Sequence, residues 1–155
     1  MKIRFADTRD IPGMIDLLQQ VGEVHHQIRP DLFRSGAQKY DEAALKALLQ
    51  DPSRPILAAV EGDTLLGYCF CILQITRGDP VLCDRKVLYI DDLCVDEAQR
   101  GTGVAKALYR KVLDYARELQ CHAVTLNVWC GNDRAMAFYE KCGMKPQKIG
   151  MDYVL

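Results

Sequence analysis

The chain has 155 residues, with 20 Lys and Arg against 21 Asp and Glu, for a formal charge of −1. That length suits one domain with a sizeable core, and near neutrality excludes a general attraction to nucleic acid or to an anionic membrane surface. A hydrophobic share of 49% beside 26% charged residues excludes a disordered polymer and predicts a compact soluble protein.

Lys2, Arg4, Asp7, Arg9 and Asp10 break up the sequence after Met1, and no window approaches a membrane-spanning length, so neither a leader peptide nor an anchor is expected. Cys69, Cys71, Cys83, Cys94, Cys121, Cys130 and Cys142 are odd in number and show no C-x-x-C spacing. Neither a disulfide framework nor a metal site is expected from them; they read as small hydrophobes in a reducing cytoplasm.

Lys2–Ala6 reads as a first strand. Asp10 stands as an N-cap and Pro12 in the first turn of a helix whose stripe is Ile11, Met14, Ile15, Leu18 and Val21. From 22 to 40 the pattern fails at Gly22, His25-His26, Pro30 and Gly36, which predicts a loop or broken helix. The two histidines are candidates for touching a substrate or relaying a proton, against the simpler reading of solvated loop residues. Asp41 caps a second helix carrying Ala44, Leu45, Leu48 and Leu49, which Asp51-Pro52 stops.

Pro55–Glu61 and Leu65–Thr76 are apolar strand runs joined by a Gly62-Asp63-Thr64 turn, which predicts an antiparallel hairpin. After an exposed loop at Arg77–Arg85, Val87–Val95 forms a central strand interrupted by Asp91-Asp92. Adjacent strand residues face opposite ways, so only one of these carboxylates should enter a cleft unless a bulge intervenes. Carboxylates in an apolar strand have their pKa raised by burial and mutual repulsion, which makes both candidate proton acceptors.

Asp96–Gln99 is a polar turn, and Arg100-Gly-Thr-Gly-Val-Ala105 then leads into a helix with apolar positions 104, 108, 112, 115, 116 and 119. Strand, glycine turn and helix together make an anion site, because the first helix amides lack partners and glycine lets a phosphate approach them. The turn has neither the dinucleotide order G-x-G-x-x-G nor a Gly-Lys-Ser/Thr ending. His122–Trp129 reads as a strand reached by a right-handed parallel crossover. Asn132 caps a short helix carrying Ala135, Phe138, Tyr139 and Cys142 and closed by Gly143, and Gln147–Leu155 reads as a final strand.

Arg100-x-x-Gly103-x-Ala105 resembles the pyrophosphate-binding motif of the GCN5-related N-acetyltransferases, and Asn132-x-x-Ala135-x-x-Phe138-Tyr139-x-Lys141-x-Gly143-Met144 resembles the C-terminal signature of that family. The resemblance implies a single domain over 1–155, α/β in class, with a mixed sheet of six to seven strands flanked by about four helices. It implies acetyl-coenzyme A as cosubstrate, with its phosphates at Arg100, Gly101, Thr102, Gly103, Val104 and Ala105. Its pantetheine arm would run along the backbone of Leu93, Cys94 and Val95, with Asn132 on the other wall. Tyr139 would be the general acid toward the leaving thiolate. Tyr-Ile-Asp-Asp resembles the Glu-Asp position of polyamine acetyltransferases, which selects Asp91 as base, through a water, with Asp92 as the alternative.

The implied activity is acetyl transfer to a primary amine by direct attack. The competing readings are a non-catalytic acyl-coenzyme A-binding module and a protein N-terminal acetyltransferase. The expected partners are a small amine or a peptide amine, with no nucleic acid and no membrane, and self-association into a homodimer is left open.

Overall fold

The computed structural model describes residues 1–155. The elements are β1 (Lys2–Phe5), α1 (Ile11–Ile28), α2 (Glu42–Leu48), β2 (Ile56–Glu61), β3 (Thr64–Thr76), β4 (Arg85–Val95), α3 (Val104–Glu118), β5 (Ala123–Leu126) and α4 (Asp133–Lys141). The strands form one five-stranded sheet in the order β1-β2-β3-β4-β5. The first four are antiparallel neighbours, and β5 runs parallel to β4 after the α3 crossover. The α/β class holds, with fewer strands than the six to seven expected.

Helices cover both faces of the sheet. On one face Ile11, Met14, Leu17 and Leu18 of α1 and Leu45 of α2 bury against Ile56, Ala58, Tyr68, Phe70 and Cys94. On the other, Val104, Leu108, Val112 and Ala116 of α3 bury against Leu57, Ala59, Cys69, Cys71, Leu88 and Ile90. Each large side chain taken out of water there contributes about 1.5–3 kcal/mol. The period of two in the strands therefore sorts their residues between two separate cores.

Three sequence expectations are corrected. First, α1 does not break at Gly22 but continues to Ile28, so His25 and His26 lie in its last turn and not in a loop. Gly22 serves as clearance: a Cβ there would stand 2.9 Å from the Ala37 carbonyl oxygen, so its absence lets the segment after the helix fold back onto it. Second, β5 ends at Leu126 instead of continuing to Trp129. Third, Gln147–Leu155 forms no strand. An alternating pattern becomes a strand only where a sheet edge supplies its hydrogen bonds, and this tail runs instead toward the end of α1, where Arg29 Nη2 pairs with Asp152 at 2.9 Å. Ile149, Met151 and Tyr153 are left over 80% exposed.

Asp10 occupies the N-cap position of α1 without capping it by its side chain. Its buried carboxylate instead accepts from Arg4 at 2.6 and 2.9 Å and from the Asp7 amide at 2.8 Å. Asp41 and Asn132 do cap, accepting from the amides of Ala44 at 2.8 Å and Ala135 at 3.2 Å.

Candidate active site

The register between β3 and β4 shifts in the middle of the sheet. Phe70 lies opposite Asp92 and Cys71 opposite Ile90, so Asp91 is an extra residue with no partner on β3. This is a β-bulge, and it resets the alternation of side chains. Leu88 and Ile90 bury on the α3 face, Leu93 packs there too, and Cys94 buries on the α1 face. Asp91 and Asp92 therefore both emerge on the α1 face, between two residues that point the other way.

The two carboxylates have different neighbours. Asp92 Oδ2 accepts from the Tyr68 hydroxyl at 2.8 Å. Burial, with the charge of Asp91 adding to it, pushes Asp92 up to about 6 against the opposing Tyr68 hydrogen bond and the Lys39 charge. Asp91 Oδ2 accepts from Lys39 Nζ at 2.7 Å. Sequence reasoning missed both partners. Lys39 lies in the stretch of irregular spacing, and Tyr68 could be found only by knowing the β3–β4 register, which sets it opposite Cys94.

The aromatic residues around α1 close one side of the cleft. The His25 ring lies 5.0 Å from that of Phe33, which meets Trp129 edge-on at 5.3 Å. Burial and the nearby Lys39 charge lower the His25 pKa, so this ring favours the neutral form. His26 Nδ1 is 2.6 Å from the Phe33 carbonyl oxygen; since a carbonyl only accepts, this nitrogen carries the proton and donates. His25 thus borders the site, while His26 fastens the segment that covers it.

On the opposite wall, β4 and β5 pair only as far as Ile90 and Leu126. Beyond that point Asp92–Val95 pair with β3 alone, so the outer backbone edge of Leu93, Cys94 and Val95 faces an opening instead of a strand. Tyr139 of α4 packs, as Leu93, Val95 and Leu126 do, against the α3-face core, edge-on to Phe138 at 5.1 Å and to Tyr109 at 6.2 Å. Its hydroxyl has no hydrogen-bond partner in the chain, yet no buried side-chain oxygen or nitrogen is unpaired, so this oxygen touches solvent. Burial of the ring, with Cys69 and Asp92 nearby adding to it, holds its pKa well above the ordinary tyrosine value. It stays protonated at neutral pH.

The glycine turn follows the end of β4 and leads into α3. Gly101 and Gly103 have φ of +79° and +91°, a backbone that L side chains rarely adopt, and a Cβ at either would meet nothing within 4 Å. Gly103 is the N-cap of α3 and offers no side chain to its first amides. Val104, 2% exposed, pins the helix start into the core. Thr102 turns inward on the loop, its Oγ1 donating to the Gln99 carbonyl at 2.6 Å. Arg100 has only a loose 4.0 Å approach to Glu97. Free amides, open space above the glycines and an uncommitted guanidinium suit a pyrophosphate, and the unpaired β4 edge suits an extended amide-bearing arm.

The profile of the acetyltransferase (GNAT) family matches residues 21–144, which takes in the bulge, the glycine turn and α4. The chain belongs to that family. Among curated GNAT relatives, N-alpha-acetyltransferase RimI of Mycobacterium tuberculosis is 31% identical over 75% of this chain and 66% of its own length. A glucosamine 6-phosphate N-acetyltransferase of Trypanosoma brucei brucei is 34% identical over 50% of the chain and 48% of its own length. The chain thus spans less than two thirds of these relatives. A crystallised mutant of the BH1408 protein from Bacillus halodurans superposes with a TM-score of 0.95 at 35% identity, covering 100% of this chain and 99% of that one. An aminoglycoside acetyltransferase from a soil metagenome, at 20% identity and a TM-score of 0.74, shares this GNAT fold.

Proposed function

We propose that the protein is an N-acetyltransferase that moves the acetyl group of acetyl-coenzyme A to a primary amine by direct attack. The observation that carries this reading is the β4 bulge, which turns Asp91 and Asp92 to one face of the sheet. Asp91 already holds one ammonium, that of Lys39, and so is suited to holding the acceptor's. Asp92, pushed up to about 6, is ionised at neutral pH yet basic enough to take a proton from that ammonium, directly or through water. The amine must lose that proton before it has a lone pair with which to attack.

Arg100, Gly101, Thr102, Gly103, Val104 and Ala105 would hold the pyrophosphate of the coenzyme. The edge of Leu93–Val95 and the free amide nitrogen of Asn132, whose oxygen is taken by its helix cap, would hold the arm. Tyr139 would donate a proton to the departing thiolate. A non-catalytic acyl-coenzyme A-binding role needs the turn but not a paired carboxylate site, and is less well supported. The seven free cysteines suit a reducing compartment such as the cytoplasm.

The acceptor is a cationic primary amine of the kind Asp91 holds in Lys39. The likeness to RimI favours a second acceptor class, the α-amine of a protein. The deciding experiment measures thiol release from acetyl-coenzyme A with a panel of monoamines, polyamines, amino sugars and short peptides. Turnover with any class of amine, abolished or strongly slowed in Asp92→Asn, supports the reading; coenzyme binding without turnover on the whole panel returns the protein to a binding module.

A further inference from the structure

We propose that Lys39 is itself an acceptor, so that the chain acetylates its own side chain at this position. The inference rests on the reading of Asp91 and Asp92 given above and names one substrate for that site. Lys39 Nζ lies 2.7 Å from Asp91 Oδ2, in the position argued for an acceptor ammonium. Two other lysines pair outward: Lys46 meets Glu42, and Lys111 meets Glu118, both carboxylates 63% exposed. Asp91 is only 19% exposed, so Lys39 has turned in from the surface to reach a sheltered partner.

Its placement is built and not accidental. Tyr40, the next residue, packs its ring 5.8 Å from Phe70 on β3, and Lys39 Nζ lies 5.3 Å over the Tyr40 ring. On the other side Gly22 gives the Ala37 carbonyl room to seat against α1, and His26 holds Phe33. The segment is thus tied at three places, and these ties aim one primary amine at the dyad. The lysine remains 47% exposed, which leaves its four-carbon stem free to swing.

The chemistry balances without a further reactant. The Lys39 ammonium gives one proton to Asp92, and the freed lone pair attacks the thioester carbonyl. The N–C bond forms, the C–S bond breaks, and the thiolate leaves as thiol with a proton from Tyr139. A second proton leaves the nitrogen and restores Tyr139, and Asp92 sheds the proton it took, so the products are an amide, coenzyme A thiol and one proton to solvent. Holding the amine beside the base makes the step intramolecular, which is the source of its advantage over other lysines. The amide carries no charge, so it no longer pairs with Asp91 and leaves that carboxylate to an external amine.

The test incubates the full chain with acetyl-coenzyme A and no added amine, followed by intact mass and peptide mapping over time. One acetyl group is expected on Lys39, at a rate independent of protein concentration and at least about 10-fold faster than on exposed Lys145 or Lys148. Lys39→Arg, which keeps the charge and the pairing, should lose that acetyl, and Asp91→Asn should slow it by a similar factor. Modification of Lys39 no faster than of Lys145 and Lys148, or a rate that rises with protein concentration, overturns the proposal. The amine panel run alongside separates the two readings: turnover of external amines with Lys39 unmodified removes this inference alone, whereas no turnover with either removes the catalytic reading with it.

Discussion

Asp91 and Asp92 are consecutive residues of one strand, yet their carboxylates lie on the same face of the sheet, because Asp91 has no partner on β3. A regular strand would have sent one toward α1 and the other toward α3. The bulge gives two like charges one shared environment, and their neighbours then separate them: a lysine neutralises Asp91, while a tyrosine hydroxyl and burial are left for Asp92. One fixed counter-charge on the first and a raised pKa on the second divide the tasks of holding and deprotonating an amine.

The first prediction follows for pH. Asp92 has an ordinary value of 3.8 when unfolded and about 6 when folded. Between these the native chain binds more of this proton than the unfolded chain, so this group's contribution to stability falls as pH rises through that window. Asp92→Asn keeps an oxygen for the Tyr68 hydroxyl and removes the buried charge. It should stabilise the protein by about 1–3 kcal/mol at pH 7 and by almost nothing below pH 4, the range allowing for partial solvent access. Denaturant titrations at the two pH values check this; equal effects at both would mean that the carboxylate is not strained by burial.

The same substitution tests the base. Wild-type kcat/KM should rise with pH through about 6 as Asp92 ionises. In Asp92→Asn that limb should vanish and turnover fall by roughly 10- to 1000-fold. Asp91→Asn should instead act chiefly on KM for the amine, since an anchor contributes to both ground and transition states. If Asp91→Asn removes the limb and Asp92→Asn leaves it, the two roles are exchanged.

Much of this arrangement was legible in the sequence. Strand, glycine turn and helix located the Arg100–Ala105 turn and the start of α3, and Asn132 to Gly143 located α4, because caps and periodicity are local signals. What depended on distant pairing was not legible. The register that creates the bulge joins β3 to β4 across a loop, and no spacing within 85–95 encodes it. Gly22 read as a helix breaker, whereas its effect is to admit the Ala37 carbonyl. The tail at 147–155 shows the converse: its alternation is local, but a strand also needs a neighbour, and the chain does not carry it to one.

At the glycine turn, Gly103→Val should weaken coenzyme binding in a protein that still folds. Gly103 has φ of +91°, so a β-branched residue there is strained by about 1–3 kcal/mol. Nothing lies within 4 Å of the new Cβ, so the cost is one of backbone and not of packing. The side chain would occupy the space argued for the pyrophosphate. Calorimetric titration with coenzyme A on the folded variant should show at least about tenfold weaker binding, equivalent to about 1.4 kcal/mol. Unchanged affinity would move the phosphates away from this turn.

Limited proteolysis should find the tail first. Residues 147–155 have no strand pairing, and their one strong tie is the exposed Arg29–Asp152 pair, of the kind that contributes about 0–1 kcal/mol. Trypsin should therefore cut after Lys148, since Pro146 protects the bond after Lys145, well before any site in α3 or the sheet. A tail that resists cleavage as long as the core does would show that something covers it in solution.

Tyr139→Phe should slow acetyl transfer without loosening the fold. The ring packs against Phe138 and Tyr109, and phenylalanine keeps those contacts. The hydroxyl has no partner in the chain, so its removal breaks no hydrogen bond and leaves no group unpaired. Stability should change by less than about 0.5 kcal/mol, and coenzyme affinity should hold. A core role for this residue then predicts wild-type kinetics. An acid role predicts that kcat and kcat/KM fall together, the mark of an interaction made in the transition state. The drop is bounded, because a thiolate with a pKa near ~8.5 leaves fairly well at neutral pH without help, which puts the ceiling at about 10²-fold. The loss should also shrink for a thioester whose thiol is more acidic, since that leaving group has less need of the proton. Comparing Tyr139→Phe with wild type on two such thioesters, where chemistry limits turnover, tests the proton donor directly: wild-type rates on both would leave Tyr139 a packing residue, and an equal loss on both would deny it the proton-donor role.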